Sequence, residues 1–141
     1  MAVRTADAIW KGTLKEGAGH LALGSGAWEG DYTWAARFGD EIGANPEELV
    51  GAALASCFSM FLSALCSGDG LTPTSIETSA RVHLGRDDTG PVITLIELTC
   101  EADIPGLSQE GFDEKVSIAS KNCPISRALA ATEKKVEATL V

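Results

Sequence analysis

Apolar side chains run almost without a break from Leu49 to Leu65, and the residues on either side of that run read as the two ends of a helix. Asn45 is a good capping residue, Pro46 suits the first helical position, and Glu47 and Glu48 complement the positive end of the helix dipole. Ser67-Gly68 supplies a stop, since glycine commonly closes a helix. The segment Asn45–Cys66 is apolar nearly all round, so it is expected to be covered on most sides.

The flanking patterns have a different period. Residues 4–14 alternate loosely through Ala6, Ala8, Trp10 and Leu14, which predicts a first strand. His20–Leu23 predicts a second and Tyr32–Phe38 a third, with Gly-rich turns between them. After the helix, Leu71-Thr-Pro-Thr74 breaks the chain. Ile76, Thr78, Ala80, Val82 and Leu84 then fall on one face of a strand, and Glu77, Ser79, Arg81 and His83 on the other. Arg86–Pro91 reads as a hairpin turn, and Ile96, Leu98, Cys100, Ala102 and Ile104 as the core face of the returning strand. Ser108 is placed to cap a second helix with Phe112, Val116 and Ala119 on its inner face, running to about Asn122. Cys123-Pro124 restarts helix through Ile125 and Leu129, and Val136–Val141 predicts a closing strand. The order βββ–α–ββ–α(α)–β is an α+β arrangement. One short chain is a thin cover for such an apolar helix, so a homodimer sharing the helix is expected.

Size and charge narrow this further. With 141 residues, the chain is expected to form one domain over 1–141. Eleven Lys+Arg against 20 Asp+Glu give a net charge of −9, which argues against nucleic acid and anionic membrane surfaces as partners. The apolar run approaches membrane-spanning length, but Gly51, Ser56, Ser59 and Ser63 interrupt it and the strands need a core element, so a core helix is expected rather than a span. The N-terminus shows no signal-peptide pattern, and a cytoplasmic location is the expectation.

Four cysteines in such a chain are expected to be thiols rather than structural disulfides. Cys100 lies on the inward strand face and reads as core. Cys66 follows Cys57 by nine positions, which at about 100° per residue places it on the opposite helix face, at the end where the dipole disfavours a thiolate. Cys123 precedes Pro124 and reads as a helix N-cap, a position that lowers thiol pKa and exposes the sulfur. Cys57 sits mid-helix and needs a cation from elsewhere. Arg37 is the one Lys or Arg between Lys15 and Arg81, and Glu47 or Glu48 can hold its guanidinium in a bidentate contact. On these grounds alone Cys123 is the more acidic thiol.

Other chemistries fit poorly. His20 and His83 show no metal-ligand spacing and read as solvated or hydrogen-bonded histidines. There is no nucleophile elbow, P-loop or complete dinucleotide fingerprint. Trp10, Trp28, Trp34, Phe58, Met60 and Phe61 could line an apolar pocket or simply fill the core. Two non-enzymatic readings therefore stay open: a binding module for an apolar small molecule, and a structural stress protein with incidental thiols.

Five segments together resemble the OsmC/Ohr family of thiol-dependent hydroperoxide reductases, the OsmC branch in particular. They are Arg37-Phe-Gly39, Gly43-Ala-Asn-Pro-Glu-Glu-Leu-Val-Gly-Ala-Ala53, Ala55-Ser-Cys-Phe-Ser-Met60, Leu71-Thr-Pro-Thr-Ser-Ile76 and Asn122-Cys-Pro-Ile-Ser126. The resemblance implies an OsmC-like fold, an intertwined homodimer with antiparallel sheets wrapped around long central helices. It implies that Cys57 is the peroxidatic cysteine, oxidised to a sulfenic acid, and that Cys123 resolves it as a disulfide. Arg37 matches the arginine that stabilises the Cys57 thiolate, and Glu47 the carboxylate that orients it. The implied substrates are organic hydroperoxides and, less well, hydrogen peroxide. A dithiol, notably a lipoylated protein, is the implied reductant, and no metal or other cofactor is implied.

Overall fold

A computed structural model describes all residues, Met1–Val141, in two compact units, Met1–Leu49 and Val50–Val141.

The first unit is a small antiparallel sheet in the order β1 (Ala6–Lys11), β2 (Ala18–Leu23), β3 (Glu29–Tyr32), followed by the short helix α1 (Trp34–Phe38). Gly19 lies opposite Tyr32, and a Cβ there would come within 2.5 Å of the Tyr32 ring. The missing side chain lets the ring lie over the sheet, where its hydroxyl donates to Ile9 O at 3.2 Å and its face tilts against Trp10 at 5.4 Å. The expected third strand over Tyr32–Phe38 needs correction. The strand ends at Tyr32 and the remainder is helical, because Thr33 turns the chain: its Oγ1 accepts the Ala36 N–H at 3.0 Å. Of the whole unit, Gly19, Ala36 and Glu47 alone are buried.

The helix α2 (Pro46–Gly68) opens at the end of the first unit and runs through the second. Asn45 Oδ1 accepts the N–H groups of Glu47 and Glu48 at 2.8 and 3.2 Å, so the predicted cap is formed. The buried face reads Gly51, Leu54, Phe58, Leu62 and Cys66, spaced three and four apart. Gly51 allows close approach to the sheet: a Cβ there would stand 3.1 Å from Val82 and 3.3 Å from Ala80. The long strands β4 (Ser75–Asp87) and β5 (Gly90–Asp103) form an antiparallel hairpin that turns on Asp88-Thr89, with a register irregularity at His83/Leu84. Then come α3 (Gln109–Asn122), capped by Ser108, the short α4 (Pro124–Ala128), and β6 (Glu133–Leu140). The expectation of antiparallel sheets is corrected at β6, which pairs parallel to β5. A parallel neighbour requires a crossover, and α3 and α4 supply it.

The core of this unit joins Leu54, Phe58, Leu62 and Cys66 of α2 to Ile96, Leu98, Cys100 and Ala102 of β5, with Ile104, Phe112, Ala119 and Cys123. Burying each of the large members is worth about 1.5–3 kcal/mol. The helix is long and apolar enough to cross a membrane by length and composition, yet its inner face is spent on this core. Its other side is left open: Ala52, Ala53, Ser56, Met60 and Ala64 are exposed.

Candidate active site

The four predicted site residues fall into two pairs, one in each unit.

In the first unit, α1 is two turns at most, and its last turn carries Arg37. Arg37 Nη2 donates to Glu47 Oε1 at 2.7 Å and Nε donates to Glu47 Oε2 at 3.3 Å, a bidentate contact. Glu47 is 8% exposed, whereas Glu48 is exposed, so the buried carboxylate of the two is the one that holds the guanidinium. A buried carboxylate needs this partner, since a lone buried charge is costly. The guanidinium carbon also stands 5.2 Å from the Phe38 ring centre. Beside the pair lies a cavity of about 260 Å³ walled by Trp10, Leu14, Tyr32, Trp34 and Phe38.

In the second unit, Cys57 lies at the border of the buried face of α2 and is half-buried, while Cys123 caps α4 and is fully buried. The predicted cap is present: Cys123 Sγ accepts the Ser126 N–H at 3.3 Å. The predicted exposure of that sulfur needs correction, because the turn between α3 and α4 is packed into the core. The two thiols adjoin closely enough for each to bear on the other's titration. Burial pushes the Cys57 thiol up, the Ile125 backbone N–H draws it down, and the adjoining Cys123 thiol pushes it up again. All four cysteines are free thiols. Cys57 opens onto a groove of about 520 Å³ lined by Ala53, Ser56, Met60, Phe61, Ala64, Pro124 and Ile125.

The other two thiols sit in the core as expected. Burial pushes Cys66 up, against the pull of the nearby Lys115, and burial likewise pushes Cys100 up, against a hydrogen bond from Thr78. The histidines are tied to carboxylates. His20 bonds Asp31 at 2.7 Å and Glu29 at 3.4 Å, and His83 bonds Glu97 at 2.6 Å. Of the predicted pocket residues, Trp10 and Trp34 line the first cavity and Met60 and Phe61 the second, whereas Phe58 is core.

Three features of the sites were missed from sequence. The Ile125 backbone N–H draws the Cys57 pKa down, and a proline one residue earlier, which frees the first turn of α4, was the available signal. Ser126 is buried with its hydroxyl unpartnered beside Cys123, which no pattern reveals. Asn45 caps α2 with its amide oxygen and also reaches two carbonyls of α1 with its amide nitrogen.

A mixed α+β chain with adjoining free thiols, one of them at an apolar groove, defines a thiol-based redox protein as its class. The sequence model of the OsmC-like protein family matches residues 39–139, and the chain belongs to that family. It is 44% identical over 126 residues to Peroxiredoxin OsmC of Escherichia coli (strain K12), spanning 89% of this chain and 88% of the relative. The protein of the same name from Shigella flexneri matches equally. Among solved structures, an OsmC-like protein of Vibrio cholerae superposes with a TM-score of 0.80 at 20% identity, covering 99% of this chain and all of that one, a likeness of fold. The organic hydroperoxide resistance protein OhrB of Bacillus subtilis gives 0.70 at 26% identity, covering 96% of this chain and 98% of that one.

Proposed function

We infer that Cys57 is the thiol through which this chain, a thiol-dependent peroxidase of peroxide defence, reduces its substrate, and that Cys123 is the thiol that resolves the product. The observation that carries the assignment is that Cys57 adjoins Cys123 and opens onto an apolar groove walled by Pro124 and Ile125, the residues that follow Cys123. The Cys57 thiolate attacks the terminal oxygen of the peroxide, the O–O bond breaks, and the alkoxide leaves as an alcohol after taking a proton. Cys57 becomes a sulfenic acid. Cys123, as thiolate, attacks that sulfur, the S–O bond breaks, and hydroxide leaves and takes a proton from solvent to become water as the disulfide forms. A dithiol then exchanges with the disulfide and restores both thiols.

Arg37 is the cation that offsets the burial of Cys57, and Glu47 fixes its guanidinium. A thiol pushed up by burial is a poor nucleophile at neutral pH, and a guanidinium close to the sulfur favours the thiolate. The apolar groove suits organic hydroperoxides with hydrocarbon tails better than hydrogen peroxide. A lipoylated protein is the dithiol we favour, on resemblance, and the cytoplasm the location. The exposed, apolar side of α2, with Met60 75% exposed, supports a homodimer that covers it.

Peptide mapping after one equivalent of an organic hydroperoxide tests the assignment. A Cys57–Cys123 disulfide is expected. Its absence, or equal affinity for a fatty acid and its hydroperoxide with no turnover in the presence of dithiol, would overturn it.

A further inference from the structure

The residues that hold Arg37 against Glu47 are separated along the chain by a loop, Phe38–Gly43, every residue of which is exposed. Thr33 Oγ1 donates to Glu41 Oε2 at 2.9 Å and the Ala44 N–H donates to Asp31 O at 2.8 Å, which ties the loop at two points. One amide joins the main chains of the two helix ends directly. Asn45 Oδ1 accepts the Glu47 and Glu48 N–H groups, at 2.8 and 3.2 Å, and its Nδ2 donates to Ala36 O and Arg37 O, both at 3.4 Å. The two acceptor contacts fix which end of the amide is oxygen. The carbonyls it reaches belong to the last turn of α1 and the N–H groups to the first turn of α2, and both sets have no partner within their own helix. The side chain therefore splices the end of one helix to the start of the next. It binds the main chain of Arg37 and the main chain of Glu47, the two members of the ion pair.

We propose that Asn45 is a positioning residue for the peroxidase reaction, holding the backbones of Arg37 and Glu47 in the register that aims the guanidinium. The inference rests on the reading of Arg37 as the cation that serves Cys57. It goes beyond capping, because a cap requires the acceptor oxygen and the splice requires the donor NH2 as well. Small displacements are costly at such a site: an error of about 1 Å in a positioning element lowers rate by up to ~100-fold.

Asn45→Ser separates the two roles, keeping a capping oxygen and losing the NH2. Asn45→Asp does so a second way, since its carboxylate still caps but faces two carbonyl oxygens. In the full chain both variants are expected to unfold near the wild-type urea midpoint, while Asn45→Ala unfolds earlier. In both, kcat/KM for an organic hydroperoxide falls on the order of 10-fold or more. The pH midpoint for alkylation of Cys57 is expected to rise, as it is in Arg37→Gln, and the Arg37 Nε–H resonance to leave its hydrogen-bonded position. Wild-type rate and an unmoved Arg37 signal in Asn45→Ser reduce Asn45 to a cap and overturn the proposal. So does a loss of stability in the Ser and Asp variants as large as that in Asn45→Ala. An unchanged rate in Arg37→Gln instead overturns the reading of Arg37, and the inference falls with it. A slow Arg37→Gln beside a wild-type Asn45→Ser overturns the inference alone.

Discussion

The two units solve the problem of holding a functional group in opposite ways. In Val50–Val141 the thiols ride on a packed core: Phe58 beside Cys57 and Ala119 one turn before Cys123 are fully buried, and Cys123 is itself a core residue. In Met1–Leu49 almost nothing is buried, and Arg37 and Glu47 are held by their own bidentate contact, by the Ala36 N–H donating to Thr33 Oγ1 and by the Glu47 N–H donating to Asn45 Oδ1. Apolar packing is non-directional and gives a rigid seat for the two adjoining sulfurs. Hydrogen bonds are directional, are worth about 1 kcal/mol each, and can be remade, which suits the role proposed for Arg37. The difference teaches that the second unit's chemistry depends on volume and the first unit's on polar geometry, and substitutions of each kind should separate them.

The largest effect belongs to the thiols. Cys57→Ser is expected to abolish hydroperoxide consumption in the presence of dithiol. Cys123→Ser should leave Cys57 as a trapped or overoxidised sulfur acid, read as a mass increase of one or more oxygens on the Cys57 peptide. Retained turnover in Cys57→Ser would end the thiol assignment. Arg37→Gln comes next. Burial and the neighbouring Cys123 thiol push the Cys57 pKa up, the Ile125 backbone N–H draws it down, and the net is a rise that the proposed Arg37 charge would offset. The pH midpoint of Cys57 alkylation should therefore move to higher pH, with a loss of kcat/KM at neutral pH of about 10- to 100-fold. An unmoved midpoint would mean that the first unit contributes no charge to the thiol. Leu62→Ala probes the packed unit alone. It should cost about 2–5 kcal/mol by urea unfolding, while the Arg37 Nε–H signal keeps its position. Movement of that signal would show that the hydrogen-bonded unit is not independent of the core.

The same contrast decides what was legible in the sequence. The α2 helix, the alternating faces of β4 and β5 and the Ser108 cap were readable because burial imprints a period on the residues. The Cys123 cap was readable from Pro124, but the burial of its sulfur was not, since packing around a turn is a tertiary property. The parallel pairing of β6 was hidden for the same reason. In the first unit α1 was read as strand because five residues are too few to show a helical period, although Thr33 was an available cap signal. Glu47 could not be told from Glu48 until the turn of α2 placed one inward and the other in solvent.

The smallest effect tests whether polar geometry in the first unit carries stability as well as position. His20 on β2 lies opposite Asp31 on β3, and its hydrogen bonds to Asp31 and then Glu29 raise its pKa above the ordinary value of 6.5. The folded chain thus binds the proton more tightly than the unfolded chain. The resulting stabilisation is fully present below the unfolded pKa and is lost as pH rises through the raised folded value. All three side chains are largely exposed, so solvent and salt screen the effect. His20→Gln should therefore unfold at lower urea than wild type at pH 5.5 and at nearly the same urea at pH 8.5, with the pH 5.5 gap shrinking in high salt. An equal gap at both pH values would assign the role of His20 to its ring packing in the sheet rather than to its charge, and would bring the first unit closer to the second in the way it is held together.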